Sequence, residues 1–234
     1  MTNKNEKKQK MLVKVCGMRD ADNISELIKL KPDYLGFIFY GKSKRFVTNF
    51  PEIEITSDIK KVGVFVNETI DKVIEIVKIN RLGAVQLHGN ESPEYCNQLR
   101  QSEMVTERSR SNNNDKVIST SLNHQIEIFK AFSVDDDFDF SKTDVYQNVC
   151  DYLLFDTKGK EYGGNGVKFN WQVLDSYKGK IPFLLSGGIS KVDASEIKKI
   201  AHKAFAGIDI NSGFEIEPAL KNINEIKEFK QNLK

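Results

Sequence analysis

The sequence predicts an α/β chain folded as a single-domain (β/α)8 barrel, the TIM barrel. Three observations lead there. Short β-branched or aromatic runs alternate with amphipathic stretches along nearly the whole chain, which implies a parallel sheet with right-handed crossovers. Eight such runs can be placed, and eight units close naturally into a barrel. Finally, the Gly-rich turns, Leu185-Ser-Gly-Gly-Ile189 and Gly207-Ile-Asp-Ile-Asn-Ser-Gly213, follow the seventh and eighth runs, where barrels commonly bind phosphate. An open doubly wound sheet, the main competitor, would carry its glycine fingerprint after the first strand, where only Cys16-Gly-Met-Arg19 stands. A chain of 234 residues suits one such domain with a sizeable core.

The strands are expected at residues 12–16, 34–39, 61–66, 84–88, 127–132, 152–156, 183–186 and 204–210, from their β-branched and aromatic content. After the first, residues 20–29 place Ile24, Leu27 and Ile28 on one helical face. After the second, residues 51–60 are poorly helical and offer at most a short turn. Residues 69–80 carry Ile70, Val73, Ile74 and Val77 at helical spacing, with Glu68 or Thr69 as cap. A short fourth helix begins at Ser92-Pro93-Glu94, with Pro in the first turn. Residues 101–125, including Ser109-Arg-Ser-Asn-Asn-Asn-Asp115, are rich in Ser, Asn and charge and read as a loop insertion on the helix-to-strand side, without a chemical role. Residues 191–202, with Val192, Ile197, Ile200 and Ala201, and residues 217–233, with Leu220, Ile223, Ile226 and Phe229, read as the last two helices. Residues 1–10 form a polar extension and 11–234 the barrel.

Composition narrows the function classes. A formal charge of +2 calls for neither nucleic acid nor a membrane surface. No apolar run approaches the ~20 residues of a membrane-spanning helix. The Lys-rich start has no apolar segment of a secretory signal. The three cysteines, Cys16, Cys96 and Cys150, form neither a disulfide framework nor a zinc pattern, and free thiols fit a reducing cytoplasm.

In a barrel, strand residues alternate between the axis and the helices, and those at the C-terminal ends face the site. Lys14 and Cys16 then share a face, as do Leu154 and Asp156, Gln86 and His88, and Asp209 and Asn211. Cys16, His88, Asp156 and Asp209 are expected to converge at one mouth. A lone strand-end Cys is usually a small buried filler, and a lone strand-end Asp caps a turn as often as it acts; convergence shifts that balance. Gly187 and Gly188, and Ser212 and Gly213, let backbone N–H groups approach an anion. The helices that follow are expected to point their N-termini at the same spot. A third glycine loop, Tyr162-Gly-Gly-Asn-Gly166, containing Gly164, is long enough to fold over a ligand. Arg45, in Gly41-Lys-Ser-Lys-Arg-Phe-Val47, is of the residue type that pairs bidentately with carboxylate or phosphate, although a solvated charge is the plainer reading for it alone.

Several stretches, in their order, resemble the phosphoribosylanthranilate isomerases of tryptophan biosynthesis: Val13-Lys-Val-Cys-Gly17, Leu35-Gly-Phe-Ile-Phe39 with Ser43-Lys-Arg-Phe-Val47, Lys61-Val-Gly-Val-Phe-Val66, Val85-Gln-Leu-His-Gly89, Leu154-Phe-Asp156 with Gly163-Gly-Asn-Gly166, Ser186-Gly-Gly-Ile189, and Asp209-Ile-Asn-Ser-Gly-Phe-Glu215. The resemblance implies a (β/α)8 barrel that carries out an Amadori rearrangement of N-(5-phosphoribosyl)anthranilate, a small phosphorylated substrate, as a monomer or homodimer and with no metal or redox cofactor. It implies Cys16 as general base, Asp156 as general acid and Arg45 as the group holding the anthranilate end. Two departures stand near the C-terminus, where Ala219 replaces the usual glycine and Asn222 the usual aspartate. Both are expected to affect the start of the last helix rather than the chemistry. Other phosphate-binding barrels remain open from the residues alone. An indole-glycerol-phosphate synthase needs a strand-end lysine, and Lys14 lies too deep. A metal-using epimerase needs several His/Asp ligands, and only His88 is well placed. A non-catalytic phosphate sensor is the third reading.

Overall fold

The computed structural model describes residues 10–111, 126–159 and 168–234, without the side chains of 103–111. Eight parallel strands close in sequence order: β1 (Leu12–Val15), β2 (Tyr34–Ile38), β3 (Lys60–Phe65), β4 (Ala84–Leu87), β5 (Glu127–Val134), β6 (Tyr152–Thr157), β7 (Phe183–Leu185) and β8 (Phe205–Ile210). β8 pairs back onto β1, with Lys14 opposite Asp209 and Val15 opposite Ile210. The predicted strands are all present, each within two residues of its expected ends.

Around the barrel lie α1 (Ala21–Ile28), α2 (Ile70–Asn80), α3 (Pro93–Ser111), α4 (Ala194–Ile197) and α5 (Ile223–Leu233). The Asp20 carboxylate accepts from the Asn23 N–H at 2.8 Å and starts α1. Thr69 is the N-cap of α2, but its side chain makes no capping bond. No helix follows β2: residues 39–59 run as irregular chain, joined to the barrel by a bridge between Ile38 and Phe46. Turns of 3-10 helix, Phe140–Tyr146 and Trp171–Ser176, stand where helices would follow β5 and β6.

Three expectations are corrected. α3 is 19 residues long and continues through Ser111, so the first part of the segment read as loop is helical; residues 112–125 lie outside the described residues. The helix expected over 191–202 is reduced to the 3-10 turn Lys191–Asp193 and the four-residue α4, because the chain turns at residues 198–199 and 203–204 to reach β8. The last helix begins at Ile223, not at 217. Its expected first turn is instead a small antiparallel pair, β9 (Glu215–Glu217) and β10 (Leu220–Lys221). Pro218 and Ala219 make the turn between them, and Ala219 has φ +71°, which an L-residue helix cannot continue. Of the two departures read from the sequence, Asn222 falls at the start of the last helix as expected, and Ala219 falls in the hairpin turn before it. Ala219 shapes this turn, and the Asn222 side chain accepts from the Glu225 N–H as the N-cap of α5, a position at which Asn and Asp serve about equally.

The core has two parts. The larger lies between barrel and helices, and includes Ile24, Leu27, Val73, Ile197, Ile226 and Phe229 packed on outward strand residues such as Val15, Phe37, Val85 and Phe155. The smaller fills the barrel floor with Tyr34, Val62, Ala84, Phe129, Leu184 and Ala206. Phe129 meets the ring of Tyr34 edge-on at 5.3 Å and stacks on Tyr152 at 4.8 Å. With the floor filled by side chains, the open end is the other one, where β-strands end and loops begin.

Candidate active site

At that end a cavity is lined by Cys16, Arg45, His88, Asp156, Gly187, Gly188, Asp209, Ser212 and Gly213, together with Tyr40, Ser43, Gln86, Ser186 and Asn211. Every site residue read from the sequence therefore lies on this one cavity except Gly164, which falls outside the described residues. The cause is the strand period of two. Inward positions on eight tilted strands stack in layers, and the uppermost layer meets at the mouth.

Below the mouth sits a buried ion pair. The Lys14 ammonium donates to Asp209 Oδ2 at 2.8 Å, and both side chains are almost wholly buried. Asp209 Oδ1 is buried and has no hydrogen-bond partner among the described residues. Burial alone would lower Lys14, but the Asp209 carboxylate and the Cys16 thiol beside it outweigh that and hold it above the usual range. Burial also pushes the Cys16 thiol up; Lys14 and Lys221 pull it back down, while Asp209 adds to the upward shift.

Across the barrel, on β6, Asp156 is buried with Oδ2 at 3.3 Å from His88 Nε2. The Gln86 Nε2 amide lies 3.0 Å from His88 Nδ1. With that amide donating, Nδ1 accepts and Nε2 carries the proton toward Asp156. The strand order alone places the thiol on β1 opposite the carboxyl on β6, with open space between.

The glycine turns adopt positive-φ backbone after β7, and the elements that follow them are shorter than expected. Gly187 has φ +85° and Gly188 φ +64°, a backbone that L-residues rarely adopt. A Cβ on Gly187 would also meet Thr157 and lie 2.7 Å from Asp156 Oδ1. After β8, a Cβ on Gly213 would strike the carbonyl oxygen of Ile189, so the loops after β7 and β8 are in close contact. The elements that follow these loops are single 3-10 turns, Lys191–Asp193 and Ser212–Phe214, in place of the full helices expected. The end of the barrel beside β7 and β8 is therefore bordered by loop backbone rather than by the ends of long helices.

Arg45 is not a solvated charge. Its guanidinium is bonded to Glu215, with Nε at 2.8 and 3.0 Å from the two carboxylate oxygens and Nη2 at 2.6 Å from Oε2. Lys221 Nζ donates to the same carboxylate at 2.6 Å and to Asn211 Oδ1 at 2.7 Å. Burial would raise Glu215, but its two cations outweigh that and hold it below the usual carboxylate range. Lys221 falls in the segment expected as helix over 217–233, and Glu215 stands just before it, so the sequence pattern places neither beside Arg45. The available signal was Glu215-Ile-Glu-Pro-Ala-Leu-Lys221, in which Pro218 argues for a turn between two charged residues.

Among the described residues, no group of three or more His, Cys, Asp or Glu side chains is placed to hold a metal ion, and no helix is long and apolar enough to cross a membrane.

This geometry can be set beside known proteins. The family model for N-(5'-phosphoribosyl)anthranilate (PRA) isomerase matches residues 13–118 and 109–232. The chain belongs to this family. An N-(5'-phosphoribosyl)anthranilate isomerase of Parabacteroides distasonis is 44% identical over 228 residues, covering 95% of this chain and 93% of its own. The crystal structure of phosphoribosyl anthranilate isomerase from Thermotoga maritima is 30% identical with a TM-score of 0.74, over 96% of this chain and 98% of that one. A phosphoribosyl anthranilate isomerase solved in complex with reduced 1-(o-carboxyphenylamino)-1-deoxyribulose 5-phosphate is 26% identical with a TM-score of 0.71, over the same shares of the two chains. The family relation and the closed barrel agree with the resemblance read from the sequence.

Proposed function

We propose that this PRA isomerase converts N-(5-phosphoribosyl)anthranilate to 1-(2-carboxyphenylamino)-1-deoxyribulose 5-phosphate in tryptophan biosynthesis, with Asp156 as general acid and Cys16 as general base. The observation that carries the assignment of roles is the meeting of one thiol, one carboxyl group and two glycine turns on a single cavity. Asp156 donates a proton to the furanose oxygen and opens the ring. The resulting Schiff base acidifies the neighbouring C–H, and the Cys16 thiolate removes that proton. Loss of that C2 proton gives the enolamine; C1 then takes a proton back from Cys16 while the C2 hydroxyl gives its proton to the Asp156 carboxylate, which yields the aminoketose, restores both groups and leaves total composition unaltered. The amides around Gly187, Gly188, Ser212 and Gly213 hold the phosphate. Arg45, its other edge fixed by Glu215, faces the anthranilate carboxylate. His88 orients Asp156, and Asp209, through its unpartnered oxygen, accepts a sugar hydroxyl. A buried thiol base suits a reducing cytoplasm, and the enzyme works as a monomer or homodimer.

The test is turnover of the purified enzyme with the phosphoribosyl aminoaldose, followed through the anthranilate chromophore. Cys16→Ser and Asp156→Asn are each expected to lose about two orders of magnitude or more in kcat, the usual weight of a general acid or base. Wild-type rates in either variant would remove that residue from its role. Binding of an anthranilate-bearing phosphate without any turnover by the parent chain would instead favour the sensor reading.

A further inference from the structure

Lys221 is a fully buried ammonium that does not line the cavity, yet it stands beside the base. The chain path brings it there. Cys16 N donates to Ile210 O at 2.9 Å, so Cys16 lies alongside the end of β8. The next β8-side residue, Asn211, accepts from Lys221 Nζ, and its Oδ1 would be 2.7 Å from a Cβ on Gly17. The stem of Arg45 presses on the same point, its Cδ 2.6 Å from that position.

The charges around the thiol can be counted from each element that packs there. From β1 comes Lys14, from β8 Asp209, from the loop after β2 Arg45, from β9 Glu215 and from β10 Lys221. Asp209 answers Lys14. Glu215 alone answers both Arg45 and Lys221. Among the described residues three cations thus face two carboxylates, and Asp156 with His88 lies across the cavity on β6 and at the end of β4. We propose that Lys221 is a positioning residue that supplies the uncompensated positive charge against which Cys16 ionises, so that the thiolate is the third anion of the cluster. This rests on Cys16 being the base. A buried positive charge on the same side of the barrel favours the ionised form of the thiol and opposes the burial that keeps it protonated.

The experiment titrates Cys16 in the substrate-free enzyme. Iodoacetamide labelling is measured from pH 6 to 10 and resolved by peptide mass spectrometry, with Cys96 and Cys150 as internal reporters of global opening. In Lys221→Met and Lys221→Gln the midpoint of Cys16 labelling should move up by about one pH unit or more, which at pH 8 is about a tenfold or greater drop in rate. Lys221→Arg should keep the wild-type midpoint within about 0.5 unit, because it keeps the charge. Gln can bond both Asn211 and Glu215, so it serves if the Met variant does not fold. Turnover should show kcat falling in step with the labelling rate and KM changing little. A wild-type midpoint in Lys221→Gln with Cys96 still protected would overturn the proposal, as would an Arg variant behaving like Gln, or a wild-type Cys16 unreactive up to pH 10. Because labelling needs no substrate, its outcome is read separately from whether the chain turns over the aminoaldose.

Discussion

Replacing Lys14 by Met tests the electrostatic floor of the site through stability. The change removes the ammonium 2.8 Å from Asp209 Oδ2 and leaves a carboxylate whose side chain is only 4% exposed. Its other oxygen already lacks a partner. Breaking a buried ion pair in this way costs about 3–5 kcal/mol, because the surviving charge is left without compensation. For a chain of this size each kcal/mol shifts the melting temperature by roughly 2–4 °C, so Lys14→Met should melt about 6–20 °C below the parent at pH 8. The sign of the pH dependence follows from Asp209. Burial already pushes its carboxyl up, and Lys14 opposes that push; without Lys14 the folded-state value rises further. A carboxyl raised in the folded state is protonated more readily there than in the unfolded chain. The penalty is therefore absent below the unfolded value near ~3.9 and is fully present above the folded one. Thermal melts at pH 5 and pH 8 should show the deficit shrinking at pH 5. The double variant Lys14→Met, Asp209→Leu, which removes both charges, should recover most of the loss. A single variant within 1 °C of the parent at pH 8, or a double variant no better than the single, would refute the reasoning.

The remaining predictions are more local. Ala219→Gly should stabilise the enzyme, since Ala219 holds φ +71° and a left-handed non-Gly residue costs about 1–2 kcal/mol, partly offset by the greater unfolded-state freedom of Gly; a urea midpoint that falls would contradict this. Gly187→Val should raise KM for the aminoaldose and weaken competition by inorganic phosphate about tenfold or more, because its Cβ collides with Thr157 and crowds Asp156 at a positive φ that Val does not tolerate; competition by free phosphate at the parent level would count against the cradle. Glu215→Gln should loosen the bidentate grip on Arg45 and raise KM severalfold, more for substrates carrying the anthranilate carboxylate than for inorganic phosphate, and inhibition constants for the two ligands check this.

The fold was legible because its signal is repeated. Eight strand runs with β-branched residues, and glycine turns after the last two, constrain one another in a way no single run does. The site was legible for a related reason: Cys16, His88, Asp156 and Asp209 stand at strand ends, and a period of two decides where a strand-end side chain points. What was missed lies where local pattern and chain geometry disagree. Residues 191–202 have helical spacing, but the chain needs their last residues as a turn into β8, so only Ala194–Ile197 remain α-helical. Leu220 lies at i−3 from Ile223 and reads as the start of a helical stripe, yet Pro218 and the positive φ of Ala219 turn it into β10. An expected helix over 217–233 hides Lys221, since a lysine in a surface helix is ordinarily solvated, whereas Lys221 in β10 is buried against Glu215 and Asn211.

The layering of the barrel explains why a hairpin can matter to the chemistry. The floor residues Tyr34, Val62, Ala84, Phe129, Leu184 and Ala206 exclude water from below. In so dry a setting the charges of the next layer, Lys14 and Asp209, are poorly screened and are felt by the thiol one strand period above them. Any further cation brought close has the same reach, and β10 brings one. Arg45 and Lys221 share Glu215, so their combined charge exceeds that of the carboxylate that fixes them. The loop after β2 and the hairpin after β8 are thereby locked together beside β1, the strand that carries Cys16. The same bonds that join the two loops on that side set the electrostatic environment of Cys16. Neutralising Lys221 in this hairpin should therefore change the pH dependence of the enzyme.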